Sequence, residues 1–208
     1  MLLMVSCGLF GQEKDIDLIE FIKEIQLTKK VGSNMKMVWW IPTEYWEIST
    51  KGSPYVTEEG LRDLEEIVDS FTIIAALDGN IAPGTIDYKD TLKVNLALGS
   101  QLLSPLRTEE IPKDVKNVLR TLKPVFVNMI GEMGKNFNFY VFPNAGEDGN
   151  KLIAPKQKGE FSFTLNGELF DWLLPLESFV PTKKCPIDDK SMSGTWEYCP
   201  WHGVKLVE

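Results

Sequence analysis

Apolar positions recur at helical spacing in three stretches and alternate at strand spacing in several others. Ile16, Ile19, Phe21, Ile22 and Ile25 predict an amphipathic helix over residues 15 to 28, with an acidic outer face. Met35 to Ile41 is an apolar run containing Trp39-Trp40 and predicts a strand closed by Pro42. Thr57 followed by Glu58-Glu59 reads as a helix cap with an acidic first turn, leading into Leu61, Leu64, Ile67 and Val68. Phe71 to Leu77 predicts a buried strand ended by Asp78-Gly79-Asn80. Leu92, Val94, Leu96 and Leu98 alternate with Lys93, Asn95 and Ala97, as a half-buried strand does. A further helix starts near Asp114, with Pro124 expected to kink or split it and Gly134 to stop it. Phe137 to Phe142 predicts another strand.

The sharpest local signal is a hairpin. Phe161 to Leu165 and Glu168 to Trp172 flank Asn166-Gly167, the preferred pair for a two-residue type I′ turn. That turn places Phe163 opposite Phe170 and Phe161 opposite Trp172. Helices and strands do not alternate as βαβ units, so the pattern predicts an α+β fold, an antiparallel sheet packed with a few helices. Three segments follow: residues 1–12 as leader and tether, 13–180 as one α+β domain, and 181–208 as a small C-terminal knuckle. Trp39, Trp40, Tyr45 and Trp46 read as core rather than as the lining of a ligand groove.

Composition narrows the function classes. The 208 residues are 43% hydrophobic and 25% charged, which are ordinary globular values. The net charge of −8, with no stripe of Lys or Arg, excludes the electrostatic footprint of a nucleic-acid binder. It also disfavours attachment to an anionic membrane by charge alone. No stretch approaches the roughly 20 apolar residues that span a bilayer. Catalytic motifs are missing: there is no G-x-S-x-G, H-E-x-x-H or phosphate loop, and a single histidine restricts acid–base chemistry. Asp78, Asp87 and Asp90 lie near turn signals and read as solvated acids, and Met129 and Met133 as core rather than a copper(I) pair.

At the N-terminus an apolar run leads into Val5-Ser6-Cys7-Gly8 and then into the polar Gly11-Gln12-Glu13-Lys14. This junction resembles the end of a bacterial lipoprotein signal peptide. The resemblance implies lipidation at Cys7, a longer apolar leader preceding Met1, attachment to the membrane only through that lipid, and residence in the bacterial cell envelope; a cytoplasmic location is the alternative.

The remaining two cysteines and the only histidine lie within residues 185 to 203. Cys185-Pro186-Ile187-Asp188 and Cys199-Pro200-Trp201-His202 resemble the paired CPxC turns of a zinc ribbon, with Asp188 and His202 where each second cysteine would stand. The resemblance implies a zinc site made by Cys185, Asp188, Cys199 and His202, a donor set that zinc accepts. Two rival readings fail. A Rieske cluster requires two histidines, and a thioredoxin-like motif requires a second cysteine opening a helix. A disulfide between Cys185 and Cys199 remains open; it would close a loop of about 15 residues and contribute roughly 3 kcal/mol. Unbonded structural thiols are the third possibility. Ser193-Gly194 is expected to reverse the chain, with Trp196, Tyr198 and Trp201 forming the small core of the unit. These readings lead to a non-catalytic envelope lipoprotein whose knuckle serves structure or binds another protein. A zinc-dependent enzyme using Cys185, Cys199 and His202, and a cytosolic zinc-ribbon adaptor, are the alternatives.

Overall fold

Asp17 initiates the first helix. In the computed structural model, which describes residues 15–146 and 149–208, its carboxylate accepts from the amides of Ile19 and Glu20 and opens α1 (Leu18–Ile25). Phe21 and Ile25, four apart on one face, are buried. The helix is shorter than its periodicity suggests. From Gln26 the chain becomes β1 (Gln26–Val31), which pairs antiparallel with β2 (Asn34–Ile41) across a turn where Gly32 takes φ 60. Ladder bonds outcompete a continued helix, because Leu27 satisfies either period.

After β2 come α2 (Glu44–Thr50) and α3 (Glu58–Val68). Thr57 caps α3 as expected, its hydroxyl accepting from the Gly60 amide at 3.1 Å. β3 (Phe71–Ala82) then runs past the predicted stop at Asp78, and β4 (Thr85–Tyr88) pairs with its extension. Gly79 is required inside that strand, since a Cβ there would meet Ile86 Cγ2 at 2.8 Å. β5 (Val94–Leu98) and β6 (Gln101–Leu103) precede α4 (Lys113–Ile130). α4 runs through Pro124 as one helix, held on one side by the buried Val118, Leu122 and Phe126. It ends at Gly131, φ 66, rather than at Gly134. Gly134 serves close packing instead: a Cβ would lie 2.4 Å from the Phe126 carbonyl carbon. Met129 is exposed rather than core and accepts a long contact from the Tyr45 hydroxyl.

β7 (Asn138–Pro143), β8 (Gly159–Leu165) and β9 (Glu168–Leu174) complete the body. The β8–β9 hairpin has the predicted register, with Phe161 opposite Trp172 and Phe163 opposite Phe170. Its tip is Asn166 at φ 49 and Gly167 at φ 82. The fold is α+β with antiparallel sheets. One sheet runs β1-β2-β3-β4 with β7 also on β3, and the other runs β6-β5-β8-β9. β10 (Lys183–Lys184) and β11 (Ser191–Met192) form a separate ribbon.

Adjacent side chains on β2 show the layering. Trp39 packs on Phe126 of α4 with ring centroids 4.8 Å apart, whereas Trp40 packs on Phe161 of the other sheet, also at 4.8 Å. Phe139 and Tyr140 on β7 divide in the same way, toward Phe126 and Phe163. Helix α4, the first sheet and the second sheet are therefore three layers, and the paired tryptophans belong to the core.

Asp78 departs from the solvated loop acid that its sequence context suggests. It is 1% exposed on β3. Its carboxylate accepts from Asn34 Nδ2 (2.7 Å), Lys89 Nζ (2.9 Å) and Asn166 Nδ2 (2.7 Å), with Lys36 Nζ at 3.9 Å. Burial pushes its pKa up, but the bonds from Asn166, Lys89 and Asn34 outweigh burial and hold it below the usual carboxylate range. The cluster pins the hairpin tip to the first sheet. Asp87 and Asp90 are exposed, as expected. No helix among the described residues is long and apolar enough to cross a membrane.

Candidate metal centre

Two turns build the site, and their backbones repeat. In the first, the Asp189 amide donates to the Cys185 carbonyl at 2.8 Å and the Cys185 amide donates to the Lys190 carbonyl at 3.0 Å. In the second, the Gly203 amide donates to the Cys199 carbonyl at 2.8 Å and the Cys199 amide donates to the Val204 carbonyl at 2.8 Å. The fifth residue of each turn is left-handed, Asp189 at φ 58 and Gly203 at φ 64. Asp and Gly are among the residues that adopt this conformation most readily. Each proline follows its cysteine directly, where its fixed φ favours a bend. Each sulfur accepts from the amides two and three residues further on: Ile187 and Asp188 for Cys185, Trp201 and His202 for Cys199. Asp188 and His202 therefore hold equivalent places.

The paired turns aim their side chains at one point. The sulfurs of Cys185 and Cys199 and a ring nitrogen of His202 all lie within 4.8 Å of one another. His202 Nδ1 stands 3.2 Å from Cys185 Sγ and 3.5 Å from Cys199 Sγ. A tetrahedral zinc with ordinary bond lengths would space sulfur and nitrogen about 3.5 Å apart, and two sulfurs about 3.8 Å apart. Both cysteines are buried and neither is in a disulfide, while His202 is exposed. Cys185, Cys199 and His202 thus form a donor set able to hold a metal ion. Asp188 lies outside that group of three. Its carboxylate hydrogen-bonds the Cys185 thiol and pairs with Lys190 Nζ at 3.1 Å, a partner not anticipated from the sequence.

The two thiols differ electrically. Burial pushes both up. For Cys185 it prevails over the amides of Ile187 and Asp188, and the Cys199 and Asp188 side chains add to the rise. For Cys199 the amides of His202 and Trp201, with the side chains of Cys185 and His202, bring the thiol below its ordinary value. Burial also raises the Asp188 carboxyl, but Lys190 and the Cys185 thiol more than offset this and keep it ionised.

The surroundings of the site correct one expectation. Trp196, Tyr198 and Trp201 do not form the unit's core; they are 43%, 56% and 70% exposed. The small core is instead Cys185, Met192, Cys199 and Leu206, with Val204 packed against them. Two cysteines aimed inward already fill that space, leaving no room for rings. The chain reverses near Ser193 as expected, the Trp196 amide donating to the Ser193 carbonyl. Gly194 is there for close approach, because a Cβ would collide with the Pro181 carbonyl oxygen at 1.9 Å. Lys184 exchanges both main-chain bonds with Val207, tying the ends of the unit together. Cys7 lies outside the described residues. Comparison of the chain with models of known protein families, with characterised proteins and with solved structures finds no match.

Proposed function

We propose that the chain is a non-catalytic lipoprotein of the bacterial envelope whose C-terminal unit is closed by one zinc ion. The observation that carries the zinc reading is the repeat of one turn around Cys185 and Cys199, which converges two sulfurs and the His202 nitrogen. Two thiolates and an imidazole are borderline-soft donors that suit zinc and disfavour magnesium or calcium. In this reading Asp188, which holds the place in the first turn that His202 holds in the second and whose carboxylate meets the Cys185 thiol, supplies the fourth ligand. The need for a metal follows from size. The unit buries only four side chains of its own, two of them the cysteines, and so small a core does not hold a fold without a staple. The anchor reading rests on the Val5-Ser6-Cys7-Gly8 junction.

Mass spectrometry of protein purified from its natural host tests the reading. It predicts a lipid on Cys7, one zinc per chain, and Cys185 and Cys199 reduced. A chain carrying a Cys185–Cys199 disulfide and no metal refutes the zinc. If Cys7→Ser leaves membrane fractionation unchanged, the anchor is refuted. The position of Asp188 outside the group of three favours one second reading, a three-ligand zinc enzyme with Asp188 as base. Asp188→Ala separates the two. A ligand's loss weakens zinc by more than the roughly 10–100-fold that an outer-shell partner contributes, while a base's loss leaves affinity within that range.

A further inference from the structure

The C-terminal unit carries an apolar surface that its own fold leaves uncovered. Ile187 (61% exposed) and Trp201 hold the same place in the two turns, and Trp196 and Tyr198, in the segment that joins the turns, are also exposed. Both exposed tryptophans of the protein are here, since Trp39, Trp40, Trp46 and Trp172 are buried. Trp and Tyr rings, apolar with one polar atom, are the side chains that settle at the headgroup level of a bilayer. The lysines around them can extend their charges to the aqueous side. Residues 183–208 carry four lysines and four acidic side chains, so the chain's net charge of −8 lies wholly outside them.

The placement of the unit agrees with that chemistry. Cys7 precedes Asp15 by eight residues, a span of at most about 29 Å. A lipid on Cys7 would therefore hold α1 near the bilayer. α1 in turn lies against the stem of the unit: Phe21 packs edge-on against Phe179 at 5.6 Å, and Glu24 Oε1 accepts from the Ser178 amide at 2.9 Å. Ile16, Ser178 and Phe179 line one cleft. The first described residues and the stem of the unit therefore meet at one cleft.

We propose that Trp201, Tyr198 and Trp196 seat the metal-bearing unit in the headgroup region of the membrane, as a second contact beside the lipid anchor. The proposal rests on the anchor reading above for its geometry, and its test is kept separate from that reading. The full chain carrying Cys7→Ser, loaded with zinc, is mixed with vesicles of phosphatidylcholine and phosphatidylglycerol containing brominated acyl chains. Bromine should quench the emission of the exposed tryptophans and leave the four buried ones unaffected. Trp201→Ser should lower vesicle partitioning roughly tenfold, the scale expected when one large apolar side chain no longer leaves water. Zinc content measured on the variant shows that the unit is still folded. Absence of quenching, or partitioning unchanged by Trp201→Ser with zinc retained, overturns the proposal. So does a photo-crosslink from position 201 to a protein without lipid quenching. Quenching by a chain found unlipidated in its host supports this contact while removing the anchor; a lipidated chain without quenching removes this contact alone.

Discussion

The body and the C-terminal unit stabilise themselves in opposite ways. In the body, rings from three layers interlock: Trp40 sits on Phe161 and Trp172, Trp39 sits on Phe126, and Phe126 meets Phe137. In the unit the rings face water, and the interior is two thiols, Met192 and Leu206. Apolar burial suffices for the first, whereas the second turns its large side chains outward and brings polar donors to a point. A short segment that spends its aromatics on the surface has to be closed by something other than packing.

Breaking the metal site should separate the two regions most sharply. If the proposed zinc closes the unit, Cys199→Ser, or treatment with a chelator, is expected to abolish amide protection at Lys184, Cys199 and Val207 in hydrogen exchange while β2, β3 and β8 keep theirs. Loss of protection throughout the chain would show the unit to be part of the main core. The converse change is Trp40→Ala, expected to lower body stability by about 3–5 kcal/mol in urea titration with zinc content unaltered.

A third change tests the polar pin between the sheets. Asp78→Asn keeps the shape and loses the charge facing Lys89 and Lys36, at an expected cost of about 1–3 kcal/mol at neutral pH. The native carboxyl is held below its ordinary value, so its stabilisation is complete above the unfolded pKa of about 3.9 and is lost as pH falls through the lower native value. The loss of stability below about pH 4 should therefore shrink in the variant. Equal acid sensitivity in both proteins would show that Asp78 does not carry it. The smallest effect expected is at the hairpin tip, where Gly167→Ala should cost about 1–2 kcal/mol for a left-handed residue, leaving zinc binding untouched; a neutral result would mean that the turn relaxes to another type.

Local signals account for what was legible from the residues. Asn166-Gly167 with alternating apolar flanks specifies its hairpin to the register, Thr57 specifies the start of α3, and the two Cys-Pro turns specify a convergence of donors fourteen positions apart in sequence. Failures came where distant partners decide. Gln26 to Thr28 fits a helix until β2 is there to pair with it. Asp78-Gly79-Asn80 has turn chemistry, and only β4, Asn34, Lys89 and Asn166 make it strand. Trp196, Tyr198 and Trp201 look like core by residue type, but the cysteines occupy the interior first.

The central claim is that one metal ion closes the C-terminal unit through side chains of both turns. Zinc-edge X-ray absorption on the intact protein measures this directly. The account predicts two sulfurs at about 2.3 Å and two lighter donors at about 2.0–2.2 Å, from His202 and Asp188, with the sulfur shell halved in Cys185→Ser. A first shell of nitrogen and oxygen alone, unchanged in that variant, would contradict it.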